Sequence, residues 1–228
     1  MRDDACGMKV GTDALVLGSW AGEVSTRDGR SIESALDVGT GSGILALMLA
    51  QRFPMAHVDA IELEPEAATQ ANENVANSPF SGRIHVHSMA AQGWKGKADL
   101  MVCNPPFFHN HPKSPDRKRN LARHDDTLPI NSLFRLAKEC LHPGGELAMV
   151  YPEDRANELR TEADRQGFCL WAKIGLRASE KHEVIRSLWS WKMETCLDST
   201  STIWDIEGPG GQGSWSEEMA LRLSPFVR

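Results

Sequence analysis

Ala35-Leu36-Asp37-Val38-Gly39-Thr40-Gly41-Ser42-Gly43 is the stretch on which the reading of this chain turns. Residues 35–38 read as a short buried strand. Three glycines at alternate positions then stop the strand, and Ile44 to Phe53 carries Leu45, Leu47, Met48 and Leu49 at helical spacing until Pro54 ends the run. A strand, a glycine turn and a helix in that order make a nucleotide-type turn. Glycine admits positive φ and a close approach to the backbone, and the helix N-terminus offers free N–H groups to an anion or carboxylate. The dinucleotide fingerprint G-x-G-x-x-G, counted from Gly39, needs a glycine where Ile44 stands, so that cofactor class fails on spacing.

Working outward, residues 56–61 read as a second strand, and Pro65 sits where the first turn of a helix tolerates proline, with 66–77 continuing that helix. Residues 83–88 alternate as a third strand, and 98–103 form a fourth. A helix over about 130–141 is ended by His142-Pro143-Gly144-Gly145, and a fifth strand covers 146–151. Further on, the pattern predicts a helix at 153–166, strands near 168–176 and 184–192, and a flexible turn or loop at 208–213. This alternation is the signature of a parallel sheet covered on both faces. Glu62 ends the second strand about 20 residues beyond the turn, where a carboxylate accepts ribose hydroxyls; Glu64 is the neighbouring alternative.

The chain of 228 residues carries a formal charge of −6, with 41% hydrophobic and 25% charged residues. That composition is globular, long enough to bury a core without staples, and excludes a wholly disordered chain or a histone-like basic binder. Cys6, Cys103, Cys140, Cys169 and Cys196 are widely spaced and form no C-x-x-C pair, so free thiols in a reducing compartment are expected. No run approaches the ~18 apolar residues of a membrane span, and the first residues have no apolar signal core, so a cytoplasmic protein with no membrane partner is expected. His109, His111 and His124 lack the acid or cysteine that would complete a metal set, so no metal is expected. Trp171, Trp189 and Trp191 fall in the late strands, where sheet packing outweighs base stacking as the expectation.

Asn104-Pro105-Pro106-Phe107 follows the fourth strand directly. Two prolines fix φ and remove two donors, and Asn104 is pushed to extended geometry by the proline after it. The result is a rigid loop at the carboxyl edge of the sheet, where such folds bind ligands. Its chemistry suits an exocyclic amine. The side-chain carbonyl of Asn104 and the backbone carbonyl of Pro105 each accept one N–H, which draws a delocalised nitrogen toward tetrahedral geometry and frees its lone pair. Phe107 stacks on a flat substrate. Positioning and preorganised dipoles supply most of the catalysis, and no strong base is required.

The D-x-G-x-G-x-G turn together with Asn104–Phe107 resembles the class I amino-methyltransferases that use S-adenosylmethionine. Met8-Lys9-Val10-Gly11-Thr12-Asp13, followed by Leu15 to Trp20, resembles the N-terminal motif of the bacterial tRNA1(Val) (adenine-37-N6)-methyltransferase family. Leu45–Gln51, Ile61–Glu64, Glu66–Ala68 and Ala122–His124 extend the likeness, which covers roughly residues 4–195. The resemblance implies an α/β fold with a seven-stranded, mostly parallel Rossmann-like sheet in one domain. Within it, residues 1–30 form an N-terminal cofactor and substrate segment, 31–151 the cofactor-binding core, and 152–228 the rest of the sheet and the tail. It implies that Asp37, Gly39, Gly41, Gly43 and Glu62 hold S-adenosylmethionine, with Lys9, Thr12 and Asp13 at its methionine end. Asn104 to Phe107 hold the target adenine, with Phe108 as a second wall. Ala90 stands where the family presents an aspartate to the cofactor's adenine, so that bond falls to Gln92 or to backbone. The family also carries a longer segment ahead of Met8, so either a lid is missing or the start lies upstream.

A tRNA substrate needs local positive charge rather than a positive total. Lys113, Arg117, Lys118, Arg119 and Arg123 follow the Asn-Pro-Pro-Phe loop and are the expected clamp on the anticodon stem. Adenine 37 lies in a loop, where flipping a base costs little. Three other readings share the motifs: an rRNA guanine-N2 methyltransferase, a protein-glutamine N5-methyltransferase, and a non-catalytic binding module on the same fold. Nothing in the sequence names an oligomeric partner.

Overall fold

The computed structural model describes residues 1–4, 10–105, 128–195, 199–211 and 213–226. A single eight-stranded sheet organises them, in the order β3-β2-β1-β4-β5-β7-β6-β8. The strands are β1 (Ser34–Val38), β2 (His57–Glu62), β3 (Ile84–Ser88), β4 (Ala98–Cys103), β5 (Leu141–Pro152), β6 (Cys169–Arg177), β7 (Arg186–Lys192) and β8 (Thr200–Asp205). Only β7 runs antiparallel to its neighbours β5 and β6; the other pairings are parallel.

Seven helices flank the sheet among the described residues: α1 (Thr12–Trp20), α2 (Glu23–Arg27), α3 (Ile44–Arg52), α4 (Pro65–Ala76), α5 (Ile130–Cys140), α6 (Ala156–Gln166) and α7 (Glu217–Leu223). Strand pleating divides the core in two. Ala35, Val58, Ala60, Leu100, Val102, Ala148 and Val150 face α1, α3 and α7, while Leu36, Val38, Met101, Leu147 and Met149 face α5 and α6. Alternate residues of one strand point to opposite faces, so a strand covered on both sides reads as a continuous apolar run. On the second face Phe134 of α5 packs its ring against Phe168 at 5.3 Å and edge-on to Trp191 at 5.8 Å.

The sheet has eight strands where seven were expected. The eighth, β8, pairs parallel with β6 from Ala172↔Thr200 to Arg177↔Asp205. Thr200-Ser201-Thr202 carry no apolar alternation, and an edge strand can be polar, so this segment has no period to read. Of the expected loop at 208–213, Gly208 to Gly211 turn with their own bonds: Gly208 donates to the Ser214 carbonyl at 2.9 Å, and Glu207 bridges Trp215. The fifth strand starts earlier than expected, at Leu141, and takes in 142–145 through a register shift against β4. Cys103 and Cys140 are free and buried, but Cys169 is disulfide-bonded, which corrects the expectation of free thiols throughout. Trp189 and Trp191 are buried and stacked at 5.7 Å, as core packing requires.

Helix α2 is held by a buried carboxylate. Glu146 of β5 is fully buried and accepts from the Gly22 and Ser25 N–H groups and from Ser25 Oγ at 2.8 Å. Those N–H groups open α2 and have no intrahelical acceptor. No helix among the described residues is long and apolar enough to cross a membrane.

Candidate active site

The carboxyl ends of four adjacent strands bring the expected residues together. Val38 pairs with Ile61 and with Cys103, and Glu62 pairs with Ser88. Ala90, Glu62, Gly39 and Asn104 therefore leave β3, β2, β1 and β4 side by side, at the crevice where the sheet order reverses direction from β1 to β4.

The glycine turn is built from both sides. Gly39, Gly41 and Gly43 have φ of 75°, 56° and 86°, a region that side-chain-bearing residues enter at a cost. A Cβ on Gly39 or Gly41 would meet nothing within 4 Å, so the turn faces open space there. A Cβ on Gly43 would lie 3.5 Å from the Ala71 Cβ, so this glycine packs the turn against α4. The Ile61 carbonyl accepts from both Gly39 and Thr40 N–H groups, at 2.9 and 3.0 Å.

Two carboxylates hold the turn in shape. Asp37 is fully buried, and its Oδ2 accepts from Thr40 Oγ1 at 2.5 Å and from the Ala46 N–H at 3.1 Å. Its Oδ1 is buried with no partner among the described residues. Burial pushes the Asp37 carboxyl up to about 7, against the lowering effect of the Thr40 and Ala46 bonds, and the nearby Glu62 charge raises it further. Glu62 accepts from the Gly41 N–H at 2.8 Å through Oε2 and from the Glu64 N–H at 3.0 Å through Oε1. A carboxylate oxygen has two acceptor sites, so each retains one for a ligand hydroxyl. An orphaned buried oxygen, open space over two glycines, and a half-satisfied carboxylate at the end of β2 together fit a nucleoside carrying a cationic tail.

Asn104 and Pro105 leave β4 half-buried, and among the described residues no hydrogen bond engages the Asn104 side chain. Below them the Cys103 thiol is raised by burial and by the Asp37 charge, and is inert as a nucleophile. Thr12 and Asp13 open α1, and Asp13 forms an ion pair with Arg186, the first residue of β7. Arg186 lies opposite Pro152, at the same carboxyl edge of the sheet. Ala90 is exposed and precedes a 3-10 turn over Ala91–Gly93. Lys9, Pro106, Phe107, Phe108, Lys113, Arg117, Lys118, Arg119 and Arg123 lie outside the described residues. Among the described residues no cluster of His, Cys, Asp and Glu is arranged to hold a metal.

Three participants were not identified from sequence: Thr40, Asn74 and Arg186. Thr40 had a local signal, since it stands three residues after Asp37 inside the turn. Asn74 and Arg186 had none, because their partners Ser42 and Asp13 are 32 and 173 residues away.

Residues 24–160 match the family model described as "Methyltransferase small domain". A Porphyromonas gingivalis protein named tRNA1(Val) (adenine(37)-N6)-methyltransferase is 39% identical over 229 aligned positions, covering 97% of this chain and 89% of the relative. The fold is shared with a predicted O-methyltransferase from Agrobacterium tumefaciens, at a TM-score of 0.69 and 16% identity over 94% of this chain and 96% of that one. It is also shared with a glycopeptide N-methyltransferase solved with S-adenosylmethionine, at a TM-score of 0.54 and 14% identity, covering 78% and 94% of the two chains. Identity of 39% over nearly the whole length of two chains places the protein in the tRNA1(Val) (adenine(37)-N6)-methyltransferase family.

Proposed function

We propose that this protein transfers a methyl group from S-adenosylmethionine to N6 of adenine 37 in the anticodon loop of tRNA1(Val). The observation that carries the reading is the alignment of Glu62, the Gly39–Gly43 turn and Asn104 on three neighbouring strand ends. The substrate class is supported by the name of the Porphyromonas gingivalis relative. When bound, S-adenosylmethionine supplies an electrophilic sulfonium methyl. Glu62 accepts the ribose hydroxyls, and the Asp37 end of the turn and the start of α1 receive the charged amino-acid tail, with Lys9, Thr12 and Asp13 beside it. Asn104 and the Pro105 carbonyl would accept the two N6 hydrogens and orient the nitrogen toward the cofactor, while Phe107 and Phe108 would stack on the base. S-adenosylmethionine would supply the methyl group and keep the electron pair on its sulfur, and N6, made acidic by the transfer, would lose its proton to solvent without a strong base. A tRNA substrate supports a cytoplasmic location.

Labelled cofactor incubated with bulk tRNA, followed by nucleoside analysis, should yield N6-methyladenosine. Label found only in rRNA guanine or in protein glutamine would sink the reading. The segment from Lys113 to Arg123 is the proposed RNA clamp. Lys118→Glu with Arg119→Glu should weaken tRNA binding and reduce the slope of log affinity against log salt by about 2, one for each phosphate no longer neutralised. An unchanged slope would show that the two residues touch no phosphate.

A further inference from the structure

The side chain of Asn74, on α4, is almost fully buried, with 8% exposure, although it is polar. It makes three hydrogen bonds, using both of its N–H donors and its oxygen. Its Oδ1 accepts from the Arg2 N–H at 2.8 Å, and its Nδ2 donates to the Arg2 carbonyl at 2.7 Å and to the Ser42 carbonyl at 2.8 Å. One amide therefore grips both backbone polar groups of Arg2 and a carbonyl inside the glycine turn. Neighbouring contacts reinforce the grip: Gln70 donates to Asp4 Oδ1 at 2.9 Å, and Arg2 reaches Glu73.

The N-terminal segment is fastened twice more. Asp3 Oδ2 accepts from the Val10 N–H at 3.1 Å, and three residues further on Asp13 pairs with Arg186. Ser42 and Arg186 both sit at the carboxyl edge of the sheet, over β1 and at the start of β7, with β4 and β5 between them. At a strand spacing of about 4.8 Å that separation is roughly 14 Å. The contacts Asn74–Arg2, Asp3–Val10 and Asp13–Arg186 thus form a chain of anchors, the N-terminal strap, that links the glycine turn after β1 to the start of β7 through described residues.

We propose that Asn74 is a positioning residue for the cofactor: by clamping the Arg2 peptide and the Ser42 carbonyl together, it makes the N-terminal strap and the glycine turn adopt their binding geometry as one unit. This rests on the reading of the turn as an S-adenosylmethionine site. Asn74 touches no reacting atom. It acts by fixing Ser42, and through it the open face of Gly39 and Gly41, in register with Thr12 and Asp13. Its loss leaves the Ser42 carbonyl and both Arg2 groups without their partner, and frees the strap at its first anchor.

The test is S-adenosylmethionine binding by calorimetry on the full chain, with methyl-transfer kinetics and thermal midpoints measured alongside. Asn74→Ala should weaken cofactor binding about tenfold, as expected for the loss of two or three buried hydrogen bonds, and raise the cofactor KM in step, with kcat within about twofold. Asp3→Ala should weaken binding in the same direction. The double variant should be no weaker than Asn74→Ala alone, because both act through one strap. A lowered thermal midpoint with unchanged cofactor affinity would make Asn74 a packing residue and overturn the proposal. If Asn74→Ala does not fold, Arg2→Pro against Arg2→Ala decides: only the proline removes the N–H that Asn74 accepts, so only it should weaken binding several-fold, and equal affinities overturn the proposal. A wild-type chain that binds no S-adenosylmethionine would overturn the cofactor reading and the proposal with it.

Discussion

The turn after β1 and Asn104, the first residue after β4, leave neighbouring strand ends, paired at Val38↔Cys103, yet the described residues hold them in opposite ways. The first is tied from every side: Asp37 from beneath, the Ile61 carbonyl and Glu62 from β2, and Asn74 from α4. The second, Asn104, has an amide that the described residues leave unengaged. A cofactor site gains affinity from being ordered before its ligand arrives, because the ordering cost is already met in folding. A substrate loop that must accept the two N–H groups of an adenine keeps its acceptors unspent until that base arrives. On the proposed function, the contrast gives preorganisation to the glycine turn and recognition to Asn104.

The comparison breaks first at Asn104. Asn104→Ala should lower kcat by on the order of 10³-fold or more while leaving S-adenosylmethionine affinity by calorimetry within about twofold. Surviving turnover, or a matching loss of cofactor affinity, would remove the division of labour. The next largest effect belongs to Asp37. Its carboxyl titrates near 3.8 when exposed and near 7 when folded, because burial disfavours the anion. Below the lower value both states are protonated and the stability is complete. As pH rises between the two values only the unfolded chain ionises, so stability falls, and above the higher value both states are ionised and the slope ends. The loss approaches about 4 kcal/mol across that window. Urea midpoints between pH 4 and pH 8 should show the decline in the wild type and lose that slope in Asp37→Asn; identical slopes would mean Asp37 is not the buried acid.

Glu62→Ala removes the acceptor for Gly41 and Glu64 and the proposed ribose contact. It should weaken cofactor binding by about 10- to 100-fold, the scale of charged hydrogen bonds, with kcat at saturating cofactor nearly unchanged. A fall in kcat at constant KM would place Glu62 on the substrate side instead. The smallest effect sharpens the comparison. Ala90→Asp puts a carboxylate at the exposed residue before Ala91–Gly93, and should tighten cofactor binding about threefold, the value of one exposed hydrogen bond. No change would show that the edge of β3 takes no part in holding the cofactor.

Much of this was legible in the sequence. β1, the glycine turn and α3 fall within about a residue of the expected bounds, and β4 matches at 98–103. Each is specified by neighbours in the chain: an apolar run, glycines at alternate positions, and a proline beyond the helix. α1, α2 and β8 were not predicted. α2 depends on Glu146, more than 120 residues away. β8 depends on the free edge of β6, which its own polar start does not announce. Strand context predicts sheet packing for Trp171, Trp189 and Trp191; the latter two are fully buried and stacked, while Trp171 is half-buried against the core.

Local sequence is enough for the order of strands and helices, the turn after β1, and the identity of the residues at four strand ends. These properties are written in periodicity and in the conformational limits of glycine and proline. Other features came only with the folded sheet. Glu62 shares its carboxylate between Gly41 and Glu64, Asp37 is held with one oxygen unsatisfied among the described residues, and Asn74 and Arg186 anchor the two ends of the N-terminal segment. Most of these contacts join residues far apart in the chain. Their strength comes from burial and from geometry set by the packed sheet, and neither exists until the strands have come together.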